Sequence, residues 1–135
     1  MRRGAAAFAG LVMLAGPAGA ATPGPGALAL LDQFMIARSA AARCGQAAAS
    51  TAAAFQHKYE LVTLRAEAML TRLASDLAGA NIGKLIENRY NEIDRRVSTL
   101  VTQESCNGPH VQQALQKYDS VANIKDTELM AENDN

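Results

Sequence analysis

Two histidines, His57 and His110, are the only imidazoles in the chain, and each stands near a carboxylate in sequence. His57 and Glu60 are at i and i+3, so on a helix they share a face, and His110 follows Glu104 by six residues. A histidine and a carboxylate on one face are the beginning of a metal site. They are only a beginning. A di-iron bundle needs Glu-x-x-His on two helices and two further Glu, whereas here the order is reversed and occurs once. His57 also lies about 200° around a helix from Phe55, away from the apolar stripe. His57, Glu60 and His110 are therefore the residues to examine for metal binding, and the expectation is that they bind none.

The remaining chemistry-bearing patterns are absent from the sequence. There is no Gly-rich phosphate loop, His-Glu-x-x-His, Cys-x-x-Cys or nucleophile elbow. Cys-x-x-Cys-His is missing too, so the motif for covalent haem is lacking. Met35, Met69 and Met130 sit in helical patterns, where methionine usually fills core. With no Trp and 4% aromatic residues, a stacking platform for bases or sugars is not expected. The sequence predicts no enzyme and no cofactor.

Two cysteines, Cys44 and Cys106, remain once the leader is set aside. Residues 1–20 have the form of a signal peptide: Arg2 and Arg3, a short apolar run from Ala5 to Ala15, a break at Gly16-Pro17, and small residues at Ala18-Gly19-Ala20. That run is shorter than the roughly 20 residues a bilayer needs. The mature chain should begin at or near Ala21 and reside in the periplasm or outside the cell, without stable membrane insertion. Two cysteines there should pair as one disulfide. The full chain has 13 basic and 13 acidic residues, and removal of Arg2 and Arg3 leaves the mature chain slightly acidic. A nucleic-acid binder should carry a basic face, so nucleic acid is not an expected partner.

These residues must be positioned by helices. After a lead-in over 21–26, Leu28, Leu31, Met35 and Ala42 form a helical stripe, with Leu30, Phe34 and Ala41 beside it, that should stop at Gly45. Phe55, Tyr59, Val62, Ala66, Met69, Leu73 and Leu77 recur at steps of three and four, widened by Leu61, Leu64, Ala68 and Leu70. Gly79 should end that helix and Asn81 should cap the next, whose stripe is Ile82, Ile86, Ile93, Val97, Leu100 and Val101. Asn107-Gly108-Pro109 breaks the chain before a fourth helix carrying Val111, Ala114 or Leu115, Tyr118 and Val121 inward. Residues 125–135, acidic with only Leu129 and Met130 as large apolar residues, read as a disordered tail.

The expected fold is a small all-α antiparallel bundle over 27–124, a long central hairpin with a short helix on each side and one disulfide. A turn near Ala80 would bring Cys106 level with about residue 54, a loop away from Cys44. The architecture is similar to that of small exported acid-stress chaperones, which also carry one disulfide, although no local motif matches them. The functional expectation is a non-enzymatic module that binds a protein partner. The alternatives are an acid-type stress chaperone and a carrier of a small molecule or metal.

Overall fold

The structure is a computed structural model that describes residues 26–45, 48–73 and 79–131. The leader, most of the lead-in and residues 132–135 lie outside the described residues. Five helices follow in order: α1 Gly26–Cys44, α2 Ala49–Leu73, α3 Gly79–Glu104, α4 Pro109–Ala122 and α5 Asp126–Ala131. They pack as an all-α bundle with a disulfide between Cys44 and Cys106.

The helix ends show local chemistry. Gly45 has φ of +63°, the left-handed geometry that glycine adopts without strain, and its N–H donates to the Ala41 carbonyl at 2.7 Å. Gly108 and Pro109 start α4, with proline in its first turn, where the missing N–H costs nothing. Gly79 and Asn81 are placed differently from the sequence expectation. Gly79 and Ala80 are already helical, so Asn81 lies inside the first turn of α3 rather than capping it, and α2 is described only as far as Leu73. The turn itself lies outside the described residues.

α1 is the most deeply embedded helix. Ala27, Leu30, Leu31, Phe34, Met35, Ala37, Ser39 and Ala40 are all buried. α1 packs against α2, α3 and α4, and each of those faces is more extensive than the direct one between α2 and α3. Its alanines explain how: without long side chains, three neighbours approach the same helix closely. Direction follows from the pairings. Asp32 meets Arg89, Ser39 meets Asp94, and Cys44 bonds Cys106, so α1 and α3 run the same way. α2 runs against them, with Phe55 beside Phe34 and Met69 beside Gly26.

The stripe on α2 is shorter than its sequence pattern. Phe55, Val62 and Ala66 are buried, but Leu64 is 61% and Leu73 71% exposed. α1 begins level with Met69, so Leu73 stands one turn beyond the partner that would cover it. Arg65 is buried on the same helix and donates to the Leu129 carbonyl of α5.

The expected disordered tail needs correction over its described part. Asp126–Ala131 form α5, and Leu129 is 1% exposed against the core. One well-buried leucine, a carbonyl bonded to Arg65 and an acidic first turn at Asp126 and Glu128 hold a segment whose composition alone looks too polar to fold.

Candidate functional site

The structure separates the residues singled out for metal binding. His57 Nε2 lies 2.8 Å from Asp126 Oδ2 of α5, and Lys58 reaches the other oxygen at 3.2 Å. Glu60 instead accepts from Gln56 at 3.1 Å. His110 Nδ1 lies 2.9 Å from Glu104 Oε2. The two histidines thus serve two different junctions, α2 with α5 and α3 with α4. Among the described residues no group of three or more His, Cys, Asp or Glu side chains converges as a metal site would require.

Glu104 has a second role. Its Oε1 accepts from the backbone N–H groups of His110 at 2.7 Å and Val111 at 3.0 Å. The N-cap Gly108 has no side chain to do this, so the last residue of α3 caps α4. A Cβ on Gly108 would come within 2.5 Å of the Glu104 side chain, so glycine here makes room for the cap. These bonds, the Val111 N–H first and then the His110 ring, hold the Glu104 carboxyl below its ordinary range.

Asp94 joins α3 to α1. It accepts from the fully buried Ser39 hydroxyl at 2.6 Å and from Arg43 at 2.8 Å. Its carboxyl is also held low, chiefly by Ser39. Asp126 is held low by His57 and then Lys58. All three depressed carboxylates tie one helix to another. Their stabilisation is present above the ordinary carboxyl range of about pH 4 and is lost as pH falls through the lower folded values. We expect the urea midpoint to fall on acidification below about pH 4. The drop should be shallower in D94N, whose amide does not titrate. Equal slopes in the two proteins would remove Asp94 from this account.

Two surfaces stand out beyond these junctions. On the α1–α3 face, a depression of about 480 Å³ lies against Leu28, Leu70, Leu85 and Ile86, and one of about 360 Å³ lies against Ile36, Ile93, Val97 and Leu100. Asp32 and Arg89 line both. Their contact is bidentate: Arg89 Nε to Asp32 Oδ1 at 3.0 Å and Nη2 to Oδ2 at 2.7 Å. Ile36 is 39% and Leu85 45% exposed on this face.

The second surface gathers the aromatics. Phe55 and Tyr118 stack at 4.0 Å and 9°, and Phe34 and Tyr59 join them. Arg38 lies 5.0 Å from the Tyr59 ring centre and 5.1 Å from that of Tyr90, which places its guanidinium against both faces.

The spacing of apolar residues assigns most of the apolar residues of these surfaces to core stripes and leaves out the charged ones, for which one signal was available. α1 carries three charges in an otherwise apolar and small-residue run: Asp32, Arg38 and Arg43. Each meets α3, through Arg89, Tyr90 and Asp94 respectively. A charge in the middle of an apolar helix asks for a partner, although sequence alone does not say which.

The fold and its surfaces define a class, a small disulfide-bonded all-α bundle with no membrane-spanning helix among the described residues. Comparison with protein-family models, curated proteins and solved structures finds no match to this chain.

Proposed function

We propose that this chain is an exported, non-enzymatic module that binds an amphipathic helix of a partner protein along the α1–α3 face. The observation that carries the reading is the pair of apolar depressions on either side of the Asp32–Arg89 pair. Such a face asks for apolar anchors separated by a polar position, the pattern that one side of a helix presents. The span from Leu85 to Leu100 on α3 is about 22 Å, room for about four helical turns. The rim is polar and balanced, with Lys84 beside Glu87 at 3.3 Å and Arg96 beside Glu92 at 2.9 Å. An apolar centre within such a rim is the usual make-up of a protein interface. Asp32 and Arg89 satisfy each other, so covering them leaves no charge unpaired.

Export is supported by the leader pattern and by the disulfide, since such bonds persist in oxidising compartments. The acid-chaperone alternative is favoured by the three depressed carboxylates at helix junctions. It differs in outcome: a chaperone binds an apolar dye on acidification, whereas the partner-binding module works as a closed bundle near neutrality.

A photo-crosslinking residue placed at Ile36 in the mature chain should trap one discrete envelope protein, and L85E should abolish the adduct. The same residue placed at Gln113 on α4 should trap nothing. An adduct of twice the chain's mass would replace the partner with a second copy, and an identical adduct from both positions would sink the assignment.

A further inference from the structure

A separate groove opens between α1, α2 and α4, near the disulfide. It is an open depression of about 380 Å³, lined by Arg38, Ala41, Gly45, Ala52, Phe55 and Tyr118 among others. That volume lies within the range of small-ligand sites. Three of its lining residues are alanines, Ala41, Ala42 and Ala52, and a Cβ built on Gly45 would meet nothing within 4 Å. These small residues leave space between the helices.

Arg38, exposed at the surface, is the charged group of this groove, and Gln56 lines it too. Arg43, Arg89 and Arg96 each meet a carboxylate. Arg38 has no carboxylate within ion-pair reach among the described residues, yet it is held in place by Tyr59 and Tyr90. Burial raises both the Tyr90 and Tyr118 hydroxyls, and the charge of Arg38 works against burial at each, so its field reaches across the site. Asp94, which also acts on Tyr90, is already engaged by Ser39 and Arg43. A guanidinium stacked on two rings, with no carboxylate in ion-pair reach among the described residues, is placed to take a planar anion. Phe55 and Tyr118 supply an apolar, aromatic wall beside it.

We propose that this groove binds a small monocarboxylate with an apolar body, its carboxylate on Arg38 and its body along the alanines toward Phe55 and Tyr118. The site shares no lining residue with the α1–α3 depressions, although all three use residues of α1. It gives the chain a ligand as well as a protein partner.

Calorimetric titration with decanoate, and with decanol as the uncharged counterpart, tests the site on the mature, disulfide-bonded protein. Decanoate should bind at one site per chain and decanol much more weakly. R38Q should weaken decanoate binding at least about tenfold, the loss expected for a charge-assisted bond. A52L, which fills the groove from an only partly buried wall, should weaken it similarly and keeps the test decisive if R38Q folds poorly. L85E, on the other face, should bind as the parent does. No saturable binding of decanoate, equal binding of decanol, or parental affinity in A52L would overturn the proposal. Loss of binding in L85E would also overturn it, moving the ligand to the α1–α3 face.

Discussion

Opening the Cys44–Cys106 disulfide should lower the stability of the bundle by about 2–5 kcal/mol. The bond closes a sequence separation of 62 residues. Released, the unfolded chain regains the freedom of that loop, worth about 4 kcal/mol in the chain-entropy description. The folded side of the balance points the same way. The bond fastens the C-terminal end of α1 to the segment just after α3, and the last residues of α1 from Ala41 onward are only partly buried or exposed. Small side chains there bury little apolar area, and Arg43 on Asp94 is a second tie at that end. The N-terminal half of α1, with Leu30, Leu31, Phe34 and Met35 in the core, should remain protected after reduction. Urea melts with and without reductant, and of the C44S/C106S double variant, measure the loss. A midpoint unchanged by reduction would show that the end of α1 is held by packing alone. Hydrogen exchange should locate the first fraying at Ala41–Cys44.

The pH response and the disulfide act at overlapping places, which makes them separable only by variants. Asp94 and Cys44 both anchor the last two turns of α1 on α3 and its exit. In the reduced protein the Asp94 contacts carry more of that junction, so acidification should open α1 more readily there than in the oxidised protein. Glu104 caps α4 two residues before Cys106, and its loss of charge weakens the same corner from the other side.

Much of the helical pattern was legible because the periodicity of apolar residues is a direct record of which face is covered. Val111, Ala114, Tyr118 and Val121 on α4 are buried as their spacing requires. Gly45 marks a helix end because glycine takes a positive φ without strain, Gly108 because a Cβ there would meet Glu104, and Pro109 because its missing N–H is not needed in a first turn. The pairing of Cys44 with Cys106 agrees with what the expected compartment and the helical register called for. What the pattern lacks is identity of the neighbour. Leu73 continues the spacing of Phe55 and Val62, yet it is 71% exposed because no described helix reaches it. Leu129 looked too isolated to order a tail, but the buried Arg65 donates to its carbonyl. Ser39 is buried for a reason that lies 55 residues away, in Asp94. The surface features were harder still. Asp32 and Arg89 are 57 residues apart, and only the parallel run of α1 and α3 brings them into bidentate contact.

Phe34→Ala should destabilise the protein by about 3–5 kcal/mol, the cost of removing a large aromatic side chain from a closed core. Phe34 is 0% exposed, with the Phe55 ring 5.3 Å and the Tyr59 ring 6.3 Å from its own. Its helix packs against α2, α3 and α4, so collapse into the space left by the ring would require those neighbours to move together. Leu73→Ala is the informative comparison. The sequence stripe ranks Leu73 with the core, whereas its exposure predicts a change within about 0.5 kcal/mol. Phe55→Ala should be costly too, but the F34A/F55A pair should cost less than the two singles combined, because the rings share one cavity. Urea midpoints of the four proteins settle the order. If Leu73→Ala cost as much as Phe34→Ala, the core would run along the α2 stripe, as the spacing alone suggests, and α1 would be a peripheral strut. A large Phe34 effect with a silent Leu73 instead makes α1 the element on which the other helices assemble. Both proposed binding surfaces use residues of α1, so loosening it would disturb them together.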